Sequence, residues 1–264
     1  VKTDKFYSEL VEWISAQLSR EEPGYLLGVN GPQGCGKSTL TSALCERFTK
    51  KGKRCLTISI DDFYLTRAEQ IKLAADHADN PFLQQRGYPG THDIELGARV
   101  LRSLKSGDMN VSIPRYDKSL HGGKGDRLPE SEWTQVEGGP ELIFVEGWML
   151  GYSPVDKKKL PNRHFEEINE SLKNYEAWHR QLDGFLQLAP LDPHFVVDWR
   201  IEAEQKMRAQ GRAGMSDVEI RAYVEKFLPA YETYLPRLEE APPVLRNRRR
   251  IVIGKDRLPS ELGG

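Results

Sequence analysis

Lys37 and Ser38 close a G-x-x-x-x-G-K-[ST] pattern that opens at Gly31, the spacing of a loop that wraps phosphate groups. Gly31, Gly34 and Gly36 free the backbone to turn successive N–H groups inward onto an anion. Pro32, Gln33, Cys35 and Thr39 complete the run, with Cys35 a small filler. Lys37 is expected to reach the outer phosphates of a nucleotide, and the Ser38 hydroxyl to join a Mg²⁺ shell. Two other acidic positions belong to the same chemistry. Asp61-Asp62 follows one short apolar run and Glu146 follows another. One carboxylate would take a proton from an attacking hydroxyl while another holds metal-bound water.

Such side chains converge only if the apolar runs are strands of one sheet and end on the same edge. Tyr25 to Val29 reads as the strand before the loop; Leu40, Ala43, Leu44 and Phe48 then recur at helical spacing, so the loop opens a helix whose positive end faces the same anion. Cys55 to Ile60 is a second strand, Leu142 to Val145 a fully buried one, Phe195 to Val197 a fourth and Ile251 to Ile253 a last. Phe6, Leu10, Trp13, Ile14 and Leu18 give an amphipathic first helix, Thr66 with Glu69 and Ser216 with Glu219 form capping boxes, and Ile94 to Leu104 is a further helix. From Phe165 to Phe185 apolar residues at three- and four-residue spacing predict a long helix, part of an insertion spanning about 155–190. The expectation is a single α/β domain over residues 1–264, a phosphate-loop nucleotide-binding fold with a parallel sheet flanked by helices on both faces.

Two loops are placed to grip a second substrate. RGYPGTHD, Arg86 to Asp93, carries Arg86, His92 and Asp93; SIPRYDKSLHGGKGDR, Ser112 to Arg127, carries Arg115, Tyr116, Asp117, Lys118, Lys124 and Arg127 among glycines and prolines. Asp62 and Tyr64 join Arg86, His92, Asp93, Arg115 and Tyr116 as candidate binders, with Arg86 and Arg115 the guanidinium forks for a carboxylate. Arg200, Lys206, Arg208 and Arg212 line a basic helix and its glycine-flanked end; a lid over about 200–215 would close Arg208 or Arg212 on the transferred phosphate.

Composition narrows the alternatives. The 38 basic and 39 acidic residues nearly cancel, so no global field draws the chain to nucleic acid or an anionic membrane. No apolar run approaches a membrane span, and no charge block or repeat marks an obligate protein partner. Cys35, Cys45 and Cys55 lack metal-ligand clustering and suit reduced thiols in a cytoplasmic compartment.

Taken together, PQGCGKST, DDFY, RGYPGTHD, IPRYD and VEGW resemble the phosphate-loop kinases related to uridine kinase, phosphoribulokinase and pantothenate kinase. WRIEAEQKMRAQGRAGMSD and FLPAYETYLPRL look like segments of the D-glycerate 3-kinase family and its uncharacterised fungal relatives, so the resemblance covers nearly the whole chain from Tyr25. It implies Mg-ATP as donor and transfer of the γ-phosphate to the 3-hydroxyl of glycerate. It also implies Lys37 and Ser38 at the phosphates and metal, Asp61 as base and Glu146 as the metal-side acid. A nucleoside, pantothenate or sugar phosphate as acceptor, or a nucleotide-gated switch with none, is the alternative.

Overall fold

A computed structural model describes residues 2–18, 24–209, 216–244 and 246–260. Helix α1 (Lys2–Ser15) precedes strand β1 (Tyr25–Asn30), the phosphate loop and α2 (Lys37–Lys50). Strand β2 (Cys55–Ser59) ends in a single 3₁₀ turn over Ile60–Phe63, followed by α3 (Arg67–Asp76) and α4 (Ile94–Lys105). An excursion then carries β3 (Asn110–Ile113), β4 (Tyr116–Asp117), the short α5 (Leu120–Gly123), β5 (Asp126–Arg127) and β6 (Thr134–Glu137). The chain returns to the sheet in β7 (Leu142–Gly147), leaves it for α6 (Phe165–Ser171) and α7 (Glu176–His179), and re-enters in β8 (Gly184–Pro190). Helices α8 (Phe195–Ala209), α9 (Asp217–Glu225) and α10 (Leu228–Glu240) and strand β9 (Arg248–Ile253) complete it.

The five main strands lie in the order β2-β7-β1-β8-β9, all pairs parallel, with helices on both faces. Burial follows from that cover. All of β7 is buried, as is β1 beyond Tyr25, which is why both read as continuous apolar runs without alternation. Register fixes the functional edge: Ser59 stands opposite Glu146, and Asn30 opposite Gly147. A one-residue slip would move a side chain about 3.3 Å and turn it to the other face.

Two expectations fail in the middle of the chain. The helix predicted from Phe165 stops at Ser171, passes through a 3₁₀ turn over Leu172–Tyr175 and resumes only to His179. The predicted insertion to about 190 is therefore corrected: residues 184–190 are a sheet strand, its approach to β1 so close that a Cβ on Gly184 would sit 2.4 Å from the Tyr25 hydroxyl. Leu182 and Phe185 prolong the helical spacing by coincidence, one before the strand and one in it. Conversely, Phe195 to Val197, predicted as a strand, opens α8. The Asp192 carboxylate accepts the His194 N–H at 2.8 Å in the turn just ahead of it, and three apolar residues are too few to overrule that start. Both predicted capping boxes are present, at α3 and α9; α9 ends at Glu225, and Pro229 falls in the first turn of α10.

The excursion between α4 and β7 forms two ribbons outside the main sheet. β3 pairs antiparallel with β6, and β4 with β5. Its entry and exit touch: the Gly138 N–H donates to the Met109 carbonyl at 2.8 Å, and a Cβ on Gly139 would lie 2.8 Å from the Gly107 carbonyl oxygen.

Candidate active site

The loop between β1 and α2 has the shape its glycines permit. Gly34 and Gly36 take φ of 76° and 96°, left-handed values that cost a residue with a Cβ. Gly36 caps α2 without a side-chain hydrogen bond, so the first amides of the helix remain available to an anion. The Gln33 N–H donates to the Tyr231 hydroxyl at 3.2 Å, and Cys35 is buried against the loop. Lys37 folds back, its ammonium donating to the Pro32 carbonyl at 3.1 Å.

Glu146, at the tip of β7, is 8% exposed. The Ser38 hydroxyl donates to its Oε1 at 2.7 Å, while Oε2 has no hydrogen-bond partner among the described residues. Burial raises the carboxyl above its usual range against the opposing pull of Lys37 and the Ser38 hydrogen bond. A buried, half-satisfied carboxylate beside a hydroxyl fits a hard cation of the Mg²⁺ kind, which takes one or two protein oxygens and fills the remainder of its shell with phosphate and water.

Asp61 and Asp62 occupy the 3₁₀ turn beyond β2, where the Ser59 hydroxyl accepts the Asp61 N–H at 3.3 Å. The Lys118 ammonium is 2.5 Å from Asp61 Oδ2. Burial would raise the Asp61 carboxyl, but the charge and hydrogen bond of Lys118 outweigh it and hold the group below its ordinary range. Asp62 accepts the Tyr116 N–H at 3.2 Å and lies 3.9 Å from Arg115. Tyr64 stacks on His92 at 4.3 Å and meets Tyr116 edge-on at 5.3 Å.

Asp61, Asp62, Tyr64, Arg115 and Tyr116 therefore gather around one turn, and the other predicted binders are engaged as supports. Arg86 donates to the carbonyls of Lys118, Gly123 and Lys124 and lies over the Tyr116 ring. His92 is buried, its Nδ1 2.7 Å from the Tyr175 hydroxyl; burial lowers its pKa to about 3 despite the nearby Asp61 charge. Asp93 caps α4, accepting the Leu96 N–H at 3.0 Å, and pairs with Arg127 at 3.0 Å. Its signal was legible, an Asp directly ahead of a helical pattern. Of the lid candidates, Arg208 is paired with Asp217 at 2.8 Å, and Arg212 lies outside the described residues.

Two basic residues enter the site without having been singled out. Lys118 was visible only as one charge in a polar loop. Arg257, past the last strand, donates from Nε to the Gly34 carbonyl at 2.8 Å and pairs with Glu202 at 2.7 Å; its one sequence signal is its place beyond the carboxyl end of a strand. With Trp199, Glu202, Thr39 and Phe6 it lines a cavity of about 370 Å³ against Gly34, Cys35 and Gly36 of the phosphate loop, a volume within the range of small-molecule sites.

Comparison with known proteins agrees with this geometry. Residues 26–160 match the Phosphoribulokinase / Uridine kinase family. Over 223 residues, 82% of this chain, the sequence is 42% identical to the chloroplastic D-glycerate 3-kinase of Arabidopsis thaliana, of whose length the chain spans about half, 49%. It is 35% identical to an uncharacterised kinase of Schizosaccharomyces pombe, with 95% of each chain covered. A solved D-glycerate 3-kinase from Cryptococcus neoformans superposes with a TM-score of 0.87 at 32% identity, covering 96% of this chain and 97% of that one. A glycine-turned phosphate loop, two acidic strand ends on one edge of a parallel sheet and these likenesses together mean that the chain belongs to the phosphoribulokinase and uridine kinase family, as a phosphate-loop kinase related to D-glycerate 3-kinase.

Proposed function

We propose that this kinase transfers the γ-phosphoryl group of ATP to the hydroxyl of a small hydroxy acid, D-glycerate first among them. The observation that carries the reading is the edge shared by Ser38, Glu146 and Asp61: Ser38 bonds Glu146 at 2.7 Å, and Asp61 lies just past the residue paired with Glu146 in the sheet. The triphosphate would lie along the loop amides with Lys37 at its outer end, and the base in the cavity beside Trp199 and Arg257. Ser38 and Glu146 would hold Mg²⁺, which neutralises charge between the outer phosphates.

Asp61 would accept the proton of the acceptor hydroxyl. The transferring group carries spread negative charge, so positioning by the loop amides and Lys37 supplies most of the acceleration. Arg115, about half exposed beside Asp62, faces the acceptor side, where a guanidinium fork suits a carboxylate. The likeness to D-glycerate 3-kinases supports the acceptor.

Purified protein with Mg-ATP, screened for ADP formation against D-glycerate, uridine, pantothenate and ribulose 5-phosphate, tests the reading. Turnover of D-glycerate at the highest kcat/KM is expected. Preference for any of the others overturns the acceptor, and ADP formation that no acceptor stimulates overturns the transferase.

A further inference from the structure

Among the basic groups around the Asp61–Asp62 turn, most are consumed by the fold. Arg86 is spent on the carbonyls of Lys118, Gly123 and Lys124. Arg127 is 12% exposed between Asp93 and Glu69. Lys118 differs. Its side chain is 57% exposed, and its carboxylate partner is Asp61, 57 residues away in sequence. An ammonium seated on Asp61 lies against an oxygen of the carboxylate proposed to take the hydroxyl proton, so the two compete for the same group.

An ammonium that leaves Asp61 is solvated in part by water, its side chain being 57% exposed, and gains most from a charged hydrogen bond to a second anion. The hairpin that carries Lys118 is tied at two points: Arg86 donates to the Lys118 carbonyl at 3.4 Å, and Asp126, on the strand paired with Asp117, accepts the Arg67 N–H at 2.7 Å. Without any movement of that hairpin the four-carbon stem can still swing a few ångströms. Asp62 and Glu146 lie near Lys118 already; an anion brought by the acceptor would come within that reach if borne beside the reacting hydroxyl. A neutral polyol brings none.

We propose that Lys118 selects the acceptor: it moves from Asp61 to a carboxylate borne beside the reacting hydroxyl, so that binding a hydroxy acid and uncovering the base are one event. This rests on the hydroxy-acid reading above and adds to it the residue that enforces it. In the step that follows, the acceptor oxygen bonds to the γ-phosphorus. The bond from that phosphorus to the β-bridging oxygen breaks, its electron pair leaving with ADP, and the hydroxyl proton passes to Asp61. Lys118 stays on the carboxylate throughout.

Lys118→Met and Lys118→Arg, assayed for ADP formation with D-glycerate and with glycerol, test the assignment. A second measurement is calorimetric binding of D-glycerate to protein saturated with a non-hydrolysable ATP analogue. Loss of one charged hydrogen bond predicts a KM and a Kd for D-glycerate raised about 10- to 100-fold in Lys118→Met. The preference for glycerate over glycerol should fall by the same factor, with KM for ATP unchanged. Lys118→Arg should recover most of the loss. If wild-type protein uses D-glycerate while Lys118→Met keeps its KM and its preference, or loses both acceptors equally, the role of Lys118 is overturned and the hydroxy-acid reading survives. If wild-type protein phosphorylates glycerol as well as D-glycerate, both fall together.

Discussion

The two halves of the site are built by different means. On the nucleotide side the groups are backbone amides and side chains at the ends of buried parallel strands, fixed by sheet register and by the left-handed turns at Gly34 and Gly36. On the proposed acceptor side the β4–β5 ribbon is tied to the body by side chains: Arg86 on three carbonyls, Asp126 on the Arg67 N–H, and Arg127 between Asp93 and Glu69. The difference separates two tasks. A triphosphate presents the same geometry on every cycle and suits a rigid cradle, whereas an acceptor must enter and leave and suits an element held by a few exchangeable bonds.

Substitutions on each side should therefore fail differently. The largest effect belongs to the residue where the halves meet. Asp61→Asn should lower kcat about 10²- to 10⁴-fold and leave nucleotide affinity, measured by calorimetry, within about twofold of wild type. A comparable loss of nucleotide binding would place Asp61 wholly in the cradle. Lys37→Met should lower kcat about 10²- to 10³-fold with unaltered KM for the acceptor; a rise in that KM would erase the division. Glu146→Gln should weaken Mg²⁺ about 10- to 100-fold, read as a higher metal concentration for half-maximal turnover. Arg86→Ala should act on the acceptor alone, raising its KM about tenfold, since each hydrogen bond lost to the hairpin is worth about 1 kcal/mol. Equal damage to the KM for ATP would show the ribbons to be continuous with the cradle.

The smallest effect is on stability. Burial lowers the pKa of His92 to about 3 and of His179 to about 4 from 6.5. Below pH 6.5 the unfolded chain takes up protons that the folded chain refuses, so stability present above that pH is lost as pH falls. From pH 6.5 to 5.5 the loss should be about 1 kcal/mol per histidine, seen as a lower urea midpoint. His92 belongs to the acceptor side and His179, which accepts the Gly151 N–H at 2.9 Å, to the body. Replacing each with Gln should remove its share of the slope; an unchanged slope in both variants would refute the assignment.

What could be read from sequence follows the same division. The phosphate loop was legible because its chemistry is made by backbone, and Gly31, Gly36, Lys37 and Ser38 announce it at fixed spacing. Glu146 was legible because a buried parallel strand shows as an unbroken apolar run, and the acid stands at its end. Strand β8 was not, since Leu182 and Phe185 continue a helical spacing, and the close packing of Gly184 on Tyr25 is a tertiary fact. Nor were the partners of Arg86 and Lys118. Residues rich in charge all look like binders in sequence, and only the folding of the hairpin onto Asp61 separates those that hold backbone from one seated on that carboxylate.

The touching ends of the excursion, where Gly138 bonds Met109 and Gly139 abuts Gly107, carry a consequence for engineering. A segment that departs and returns through one narrow gate can be exchanged as a cassette, because its graft points stay put whatever is inserted between them. Transplanting residues 107–139 from a relative with another acceptor should reprogram what is phosphorylated while the parent's nucleotide machinery carries on unaltered.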